Sequence, residues 1–122
     1  SVARALPALT RAEKIQSKAA RAGFDWPDIG PAMDKVGEEL DELRQAVDTG
    51  TNVEEELGDL LFSIVNAARF LGVDPEHALN AATDKFINRF EKTEIIAQKK
   101  GIDMKKSSLE TLDRLWEEAK RS

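Results

Sequence analysis

Apolar residues recur along this chain at steps of three and four, and no stretch alternates with a period of two. Thr10 with Glu13 has the spacing of a capping box, and Ala12, Ile15, Ala19 and Ala22 follow at helical intervals as far as Gly23. That pattern predicts a first helix of about three turns. Phe24-Asp25-Trp26-Pro27 reads as a loop carrying two aromatics. A second helix is predicted from near Pro31 to Val47, with Val36, Leu40, Leu43 and Val47 on one stripe, and Asp48 to Thr51 breaks it. Asn52 with Glu55 opens a third helix that ends at Leu71-Gly72. Asp74-Pro75 starts a fourth, with Leu79, Ala82, Phe86, Phe90 and Ile95, which stops near Gly101. Ser107 with Glu110 opens a last one bearing Leu109, Leu112, Trp116 and Ala119.

The fold class that follows is all-α, an antiparallel helical bundle with short connections. The third predicted helix stands apart. Leu57, Leu60, Leu61, Phe62, Ile64, Val65, Phe70 and Leu71 run round nearly its whole circumference, as in helices buried on several sides. One small bundle covers such a helix poorly, so the bundle is expected to be completed by dimerisation.

Composition narrows the chemistry. At 122 residues the chain suits one domain, 1–122. It has no cysteine and one histidine, His77, which removes disulfides, thiol nucleophiles, zinc ribbons and multi-histidine metal cages. His77 sits behind Asp74-Pro75 and reads as a capping or surface residue. There is no run near the roughly 18 apolar residues of a membrane span and no signal-peptide pattern, so a cytoplasmic location is expected. The net charge of −5 opposes direct nucleic-acid binding. It is unevenly spread: nine acids between Glu38 and Asp59 face Arg44 alone, a local −8 that leaves +3 for the rest.

Those acids are ordered. Glu42 and Glu56 each lie seven residues from position 49, and Glu39 and Asp59 each lie ten from it. In an antiparallel hairpin turning there, each pair is level, and the two acids within each helix are one turn apart on one face. Four converging carboxylates either raise one another's pKa or bind a cation. Oxygen donors without histidine or cysteine suit Mg²⁺, with Mn²⁺ as a substitute, and two such ions can clamp a polyphosphate. Spacing alone leaves a solvated acidic face and a metal site both open.

Glu38-Glu39-Leu40-Asp41-Glu42 followed by Glu56-Leu57-Gly58-Asp59 resembles the paired EExxE and ExxD motifs of the MazG nucleoside triphosphate pyrophosphohydrolases. The likeness extends over Pro7 to Gln16, Gly23-Phe24-Asp25-Trp26, Gly58 to Phe62, Lys85-Phe86 with Arg89-Phe90, and Leu115 to Lys120. The opening residues 1–9 resemble the connector that precedes the C-terminal domain of two-domain MazG proteins. With no initiator methionine, the chain is expected to be a domain fragment.

The resemblance implies an all-α dimer that hydrolyses a nucleoside triphosphate to the monophosphate and pyrophosphate with Mg²⁺. It makes Glu39, Glu42, Glu56 and Asp59 metal ligands and Glu38 a base or orienter of the attacking water, against the plainer reading of Glu38 as a solvated or salt-bridged side chain. Lys35, one turn before Glu39, reads as its structural partner. Lys85 and Arg89 are implied to contact the triphosphate and Trp116 with Lys120 the nucleotide, although by pattern the first two suit a surface pair and Trp116 a core anchor. Phe24 and Trp26 either wall in the base or pack the loop. Lys99, Lys100, Lys105 and Lys106 flank a loop, as a solvated run or a phosphate-gathering lid.

Thr83 and Asn88 stand where many relatives have asparagine and arginine, which leaves sugar and base contacts open. No P-loop, G-x-G-x-x-G or nucleophile elbow is present. The alternatives are a relative tuned to one nucleotide, a dUTP or dCTP pyrophosphatase, and a non-catalytic helical dimerisation or regulatory module.

Overall fold

The computed structural model of the chain describes residues 2–122. Among them are five α-helices, one 3₁₀ turn and no strand: α1 Ala8–Arg21, α2 Ile29–Thr49, α3 Val53–Leu71, α4 Pro75–Lys99, the 3₁₀ turn Met104–Lys106, and α5 Leu109–Lys120. The all-α class and all five predicted helices are present. The helices form two compact units, one up to Ala78 and one over Leu79–Ser122.

In the first unit α3 packs against both α1 and α2, most extensively against α2. The α2–α3 connection is a tight turn. Gly50 closes α2 at φ +71°, donating its N–H to the Ala46 carbonyl at 2.8 Å, and Asn52 enters α3 at φ +59°. Both angles are left-handed, which glycine and asparagine tolerate best. Asn52 makes no side-chain cap, so its contribution is conformational, not the predicted capping bond. The hydroxyls of Thr49 and Thr51 meet across the turn at 2.9 Å.

Two helix starts differ from the pattern reading. α1 begins ahead of the predicted Thr10 cap, after Pro7, whose ring presets φ at −52°. Thr10 therefore lies inside the helix, and its hydroxyl donates to Glu76 at 3.4 Å. For α5 the cap is Ser108, not Ser107; its hydroxyl accepts the Thr111 N–H at 3.2 Å. Two adjacent serines offer the same chemistry, and the 3₁₀ turn after Asp103, which the pattern did not reveal, fixes which one is used. The fourth helix starts as read: Asp74 accepts the N–H groups of Glu76 and His77, and His77 itself is exposed.

The second unit has a small core of its own. Thr93, Ala97, Leu115 and Ala119 are buried, and Phe86 stacks on Phe90 and meets the Trp116 ring at 5.2 Å. Among the described residues the buried apolar positions are mostly alanines, while Leu57, Leu61, Phe62, Ile64 and Leu71 of α3 stay between 44% and 60% exposed. Within the first unit α1 and α2 bury Val65 and Ala67 but leave much of the apolar circumference of α3 exposed. No helix among the described residues is long and apolar enough to cross a membrane.

Candidate functional site

The α2–α3 turn sets the register of the hairpin and so decides which acids meet. Glu39 of α2 and Glu56 and Asp59 of α3 each bring a carboxylate oxygen within 4.8 Å of the others. Glu39 is only 9% exposed, Glu56 is half-buried and Asp59 is exposed. Glu42 is exposed and lies outside this tight group, yet its charge is felt there. Partial burial pushes the Glu56 carboxyl above its usual value, and repulsion from Glu42, Asp59, Glu39 and Glu55 adds to it.

One cation meets the cluster. Lys35, a turn before Glu39, holds its Nζ 3.0 Å from a Glu39 oxygen and 3.6 Å from Glu38. Its hydrogen bond to Glu39, and then the charge of Glu39, hold its pKa above the ordinary lysine value. Glu38 is a salt-bridged, largely solvated side chain. One ammonium cannot offset four or five carboxylates, so the acids remain in excess. A set of oxygen donors with a surplus of negative charge and no nitrogen or sulfur ligand fits a hard divalent cation.

Beside the acids opens a cavity of about 670 Å³, a size typical of small-molecule sites. Glu39, Asp59 and Lys35 line it, as do Phe24 and Trp26 of the loop between α1 and α2. Phe24 is 84% exposed and Trp26 43%, so two aromatic rings border the cavity largely open to solvent.

Sequence reasoning did not find the residues that line the rest of the cavity. Gln16, 7% exposed, donates from Nε2 to the Phe62 carbonyl at 2.9 Å, while its buried Oε1 has no partner. Ser63 and Asn66 follow on α3, with Arg69 one turn after Asn66. Arg69 was the available signal, because it is the sole cation in the 19 residues of α3. Past Asp59 it is also the one charge on an otherwise largely apolar stretch of the helix, and such a charge generally has a specific partner.

Lys85, Arg89, Trp116 and Lys120 belong to the second unit. Arg89 and Trp116 are brought together: the guanidinium lies 4.2 Å from the indole centroid, and Nε donates to the Trp116 carbonyl at 3.1 Å. Glu117 is 3.5 Å from the same guanidinium. Lys85 and Lys120 are exposed and make no ion pair among the described residues. Of the lysines near the 3₁₀ turn, Lys100 pairs with Glu118 at 2.7 Å.

Comparison with known proteins bears on the same segments. The MazG nucleotide pyrophosphohydrolase domain family matches residues 32–94, which carry both acidic motifs. The chain is 48% identical over 124 residues to a nucleoside triphosphate pyrophosphohydrolase of Escherichia coli K12, a match covering 98% of this chain and 47% of that protein. It is 50% identical over 115 residues to the nucleoside triphosphate pyrophosphohydrolase/pyrophosphatase MazG of Thermotoga maritima, covering 94% of this chain and 45% of that protein. The chain spans about half the length of these relatives.

Proposed function

The chain belongs to the MazG nucleotide pyrophosphohydrolase family, and on that premise we propose that it hydrolyses nucleoside triphosphates to monophosphates and pyrophosphate. The observation that carries this reading is the meeting of Glu39, Glu56 and Asp59 at the edge of a cavity that two aromatic side chains also border. The donor set suits Mg²⁺, with Mn²⁺ as substitute; Glu39, Glu56 and Asp59 hold it, and Glu42 joins them. A divalent cation bound there supplies charge neutralisation for the triphosphate and a lower pKa for an attacking water.

The reaction adds water across the α–β anhydride bond: the water oxygen joins one of the two phosphorus atoms, and the bridging oxygen departs with the other phosphoryl group. Glu38, at the solvent edge of the acids, takes the proton of the water. Lys35 holds the Glu39 carboxylate in place through their 3.0 Å ion pair. Phe24 and Trp26 wall the base. Lys85, Arg89, Trp116 and Lys120 are assigned to the nucleotide on family likeness, as cationic and stacking contacts. The exposed apolar side chains of α3 favour a homodimer, which light scattering after gel filtration tests; a strictly monomeric protein refutes it.

A panel of ribo- and deoxyribonucleoside triphosphates with Mg²⁺, resolved by product, tests the reaction. Monophosphate and pyrophosphate are expected. Release of orthophosphate refutes the assigned bond, and turnover of a single nucleotide redefines the enzyme as one tuned to it. For Glu38, substitution by Gln is expected to lower kcat at unchanged KM; an unchanged kcat removes it from the chemistry.

A further inference from the structure

The two aromatics beside the cavity lie on a short loop, Phe24 is almost fully exposed, and the loop needs something to hold it in place. The N–H groups of Gly23 and Phe24 bond the Ala20 and Ala19 carbonyls at its start, and one side chain, Asp25, ties its middle. Asp25 Oδ1 accepts the Trp26 N–H at 2.8 Å, and the same carboxylate grips the Arg69 guanidinium with both oxygens, Nη1 to Oδ2 at 3.1 Å and Nη2 to Oδ1. Arg69 is itself oriented: Asn66 Oδ1 accepts from its Nε at 3.2 Å and its Nη2 at 2.9 Å. Its guanidinium also lies over the Phe70 ring. The side chains of Arg69 and Asp25 are 17% and 26% exposed, so the fork is partly shielded from water. Bidentate geometry and shielding make such a pair stronger than an ordinary surface ion pair.

Arg69 and Asp59 are on the same helix, ten residues apart, which is about 15 Å of rigid α3. The tie therefore references the aromatic loop to the helix that carries two of the clustered acids. We propose that Asp25 and Arg69 form a positioning pair that holds Trp26 at a fixed distance from the carboxylate cluster and so sets affinity for the nucleoside end of the substrate. This rests on the nucleoside triphosphate reading above. It assigns to neither residue a contact with the reacting atoms.

The test separates the two ends of the substrate. Asp25→Asn keeps the shape of the side chain and the means to accept from Trp26, and Arg69→Lys keeps charge but loses the fork. Each is expected to raise KM for nucleoside triphosphates about tenfold, with kcat within about twofold. Inhibition by inorganic tripolyphosphate, which has no nucleoside, is expected to keep its Ki. The double variant is expected to lose little more than either single one. A tripolyphosphate Ki that rises in parallel with KM, or a fall in kcat at constant KM, overturns the positioning role.

A second readout does not depend on turnover. In a Trp116→Phe background the remaining tryptophan, Trp26, is expected to become more accessible to acrylamide quenching when Asp25→Asn is added. Unchanged quenching overturns the tie whatever the enzyme hydrolyses. Parent protein that hydrolyses no nucleotide refutes the proposed function instead, leaving the quenching result to decide the tie alone.

Discussion

The two units treat charge in opposite ways. In the second unit two cations find partners within the unit: Arg89 has Glu117 and the Trp116 ring and carbonyl, and Lys100 has Glu118. In the first, the hairpin gathers Glu39, Glu56 and Asp59, and among the described residues Lys35 is the cation paired with that group. A packed helix pair that brings carboxylates together works against its own electrostatics, and such local conflict concentrates where a ligand completes the structure. The Asp25–Arg69 tie shows that the first unit also makes well-satisfied pairs, so the excess at the hairpin is specific to that place.

The sharpest way to break this contrast is to remove the excess. Asp59→Asn and Glu39→Gln are each expected to lower the rate of pyrophosphate release by roughly 100-fold or more while leaving the circular dichroism spectrum unchanged. Turnover within twofold of the parent makes the cluster an ordinary acidic face. In the second unit the corresponding deletion acts on the fold: Arg89→Ala is expected to destabilise the protein by about 2 kcal/mol in urea unfolding, since a charge-assisted hydrogen bond and a cation–π contact go together. Lys85→Ala, with no partner to lose, stays within about 0.5 kcal/mol.

Most of this architecture was legible in the sequence. Helix existence followed from the spacing of apolar residues, because a helix that buries one face must repeat near 3.6. Helix starts were less legible: Thr10 and Glu13 have capping-box spacing, but Pro7 starts the helix earlier, and no rule of spacing chooses Ser108 over Ser107. The acids were legible because a hairpin maps sequence distance from its turn onto height. The same mapping does not fix rotamers, and Glu42 sits outside the group that Glu39, Glu56 and Asp59 make. Gln16, Ser63 and Asn66 were not legible, since their role comes from elements far apart in sequence meeting at one cavity; the Asp25–Arg69 contact alone spans 44 positions.

A finer test uses pH. Glu56 binds its proton more tightly folded than unfolded, so the folded state holds more protons as pH rises from the usual value of 4.5, and in that window stability falls with rising pH. Without divalent cation, Glu56→Gln is therefore expected to melt above the parent at pH 7, with the gap closing toward pH 4. Mg²⁺ is expected to raise the melting temperature of the parent more at pH 7 than at pH 4.5, as only ionised acids bind it. A pH-independent gap contradicts the origin assigned to it.

Small effects are expected at the helix ends. Ser108→Ala removes a capping hydroxyl and is expected to cost about 1 kcal/mol. Asn52→Ala is expected to cost a similar amount, about 1 kcal/mol, through its left-handed backbone, and Asn52→Gly to leave stability within about 0.5 kcal/mol of the parent. If Ala and Gly behave alike at position 52, backbone conformation is not the reason for asparagine there.

Loops commonly absorb insertions and deletions during evolution, but the three residues from Gly50 to Asn52 are poorly suited to it. One extra residue there, taken up by lengthening either helix, turns the following side chains by about 100° and slides them about 1.5 Å along the axis. Asp59 would then point away from Glu39 although every carboxylate was still encoded. Length variation among related chains should therefore accumulate elsewhere, and a homologue with a longer connection at this point should have lost the carboxylate cluster or moved its acids to match.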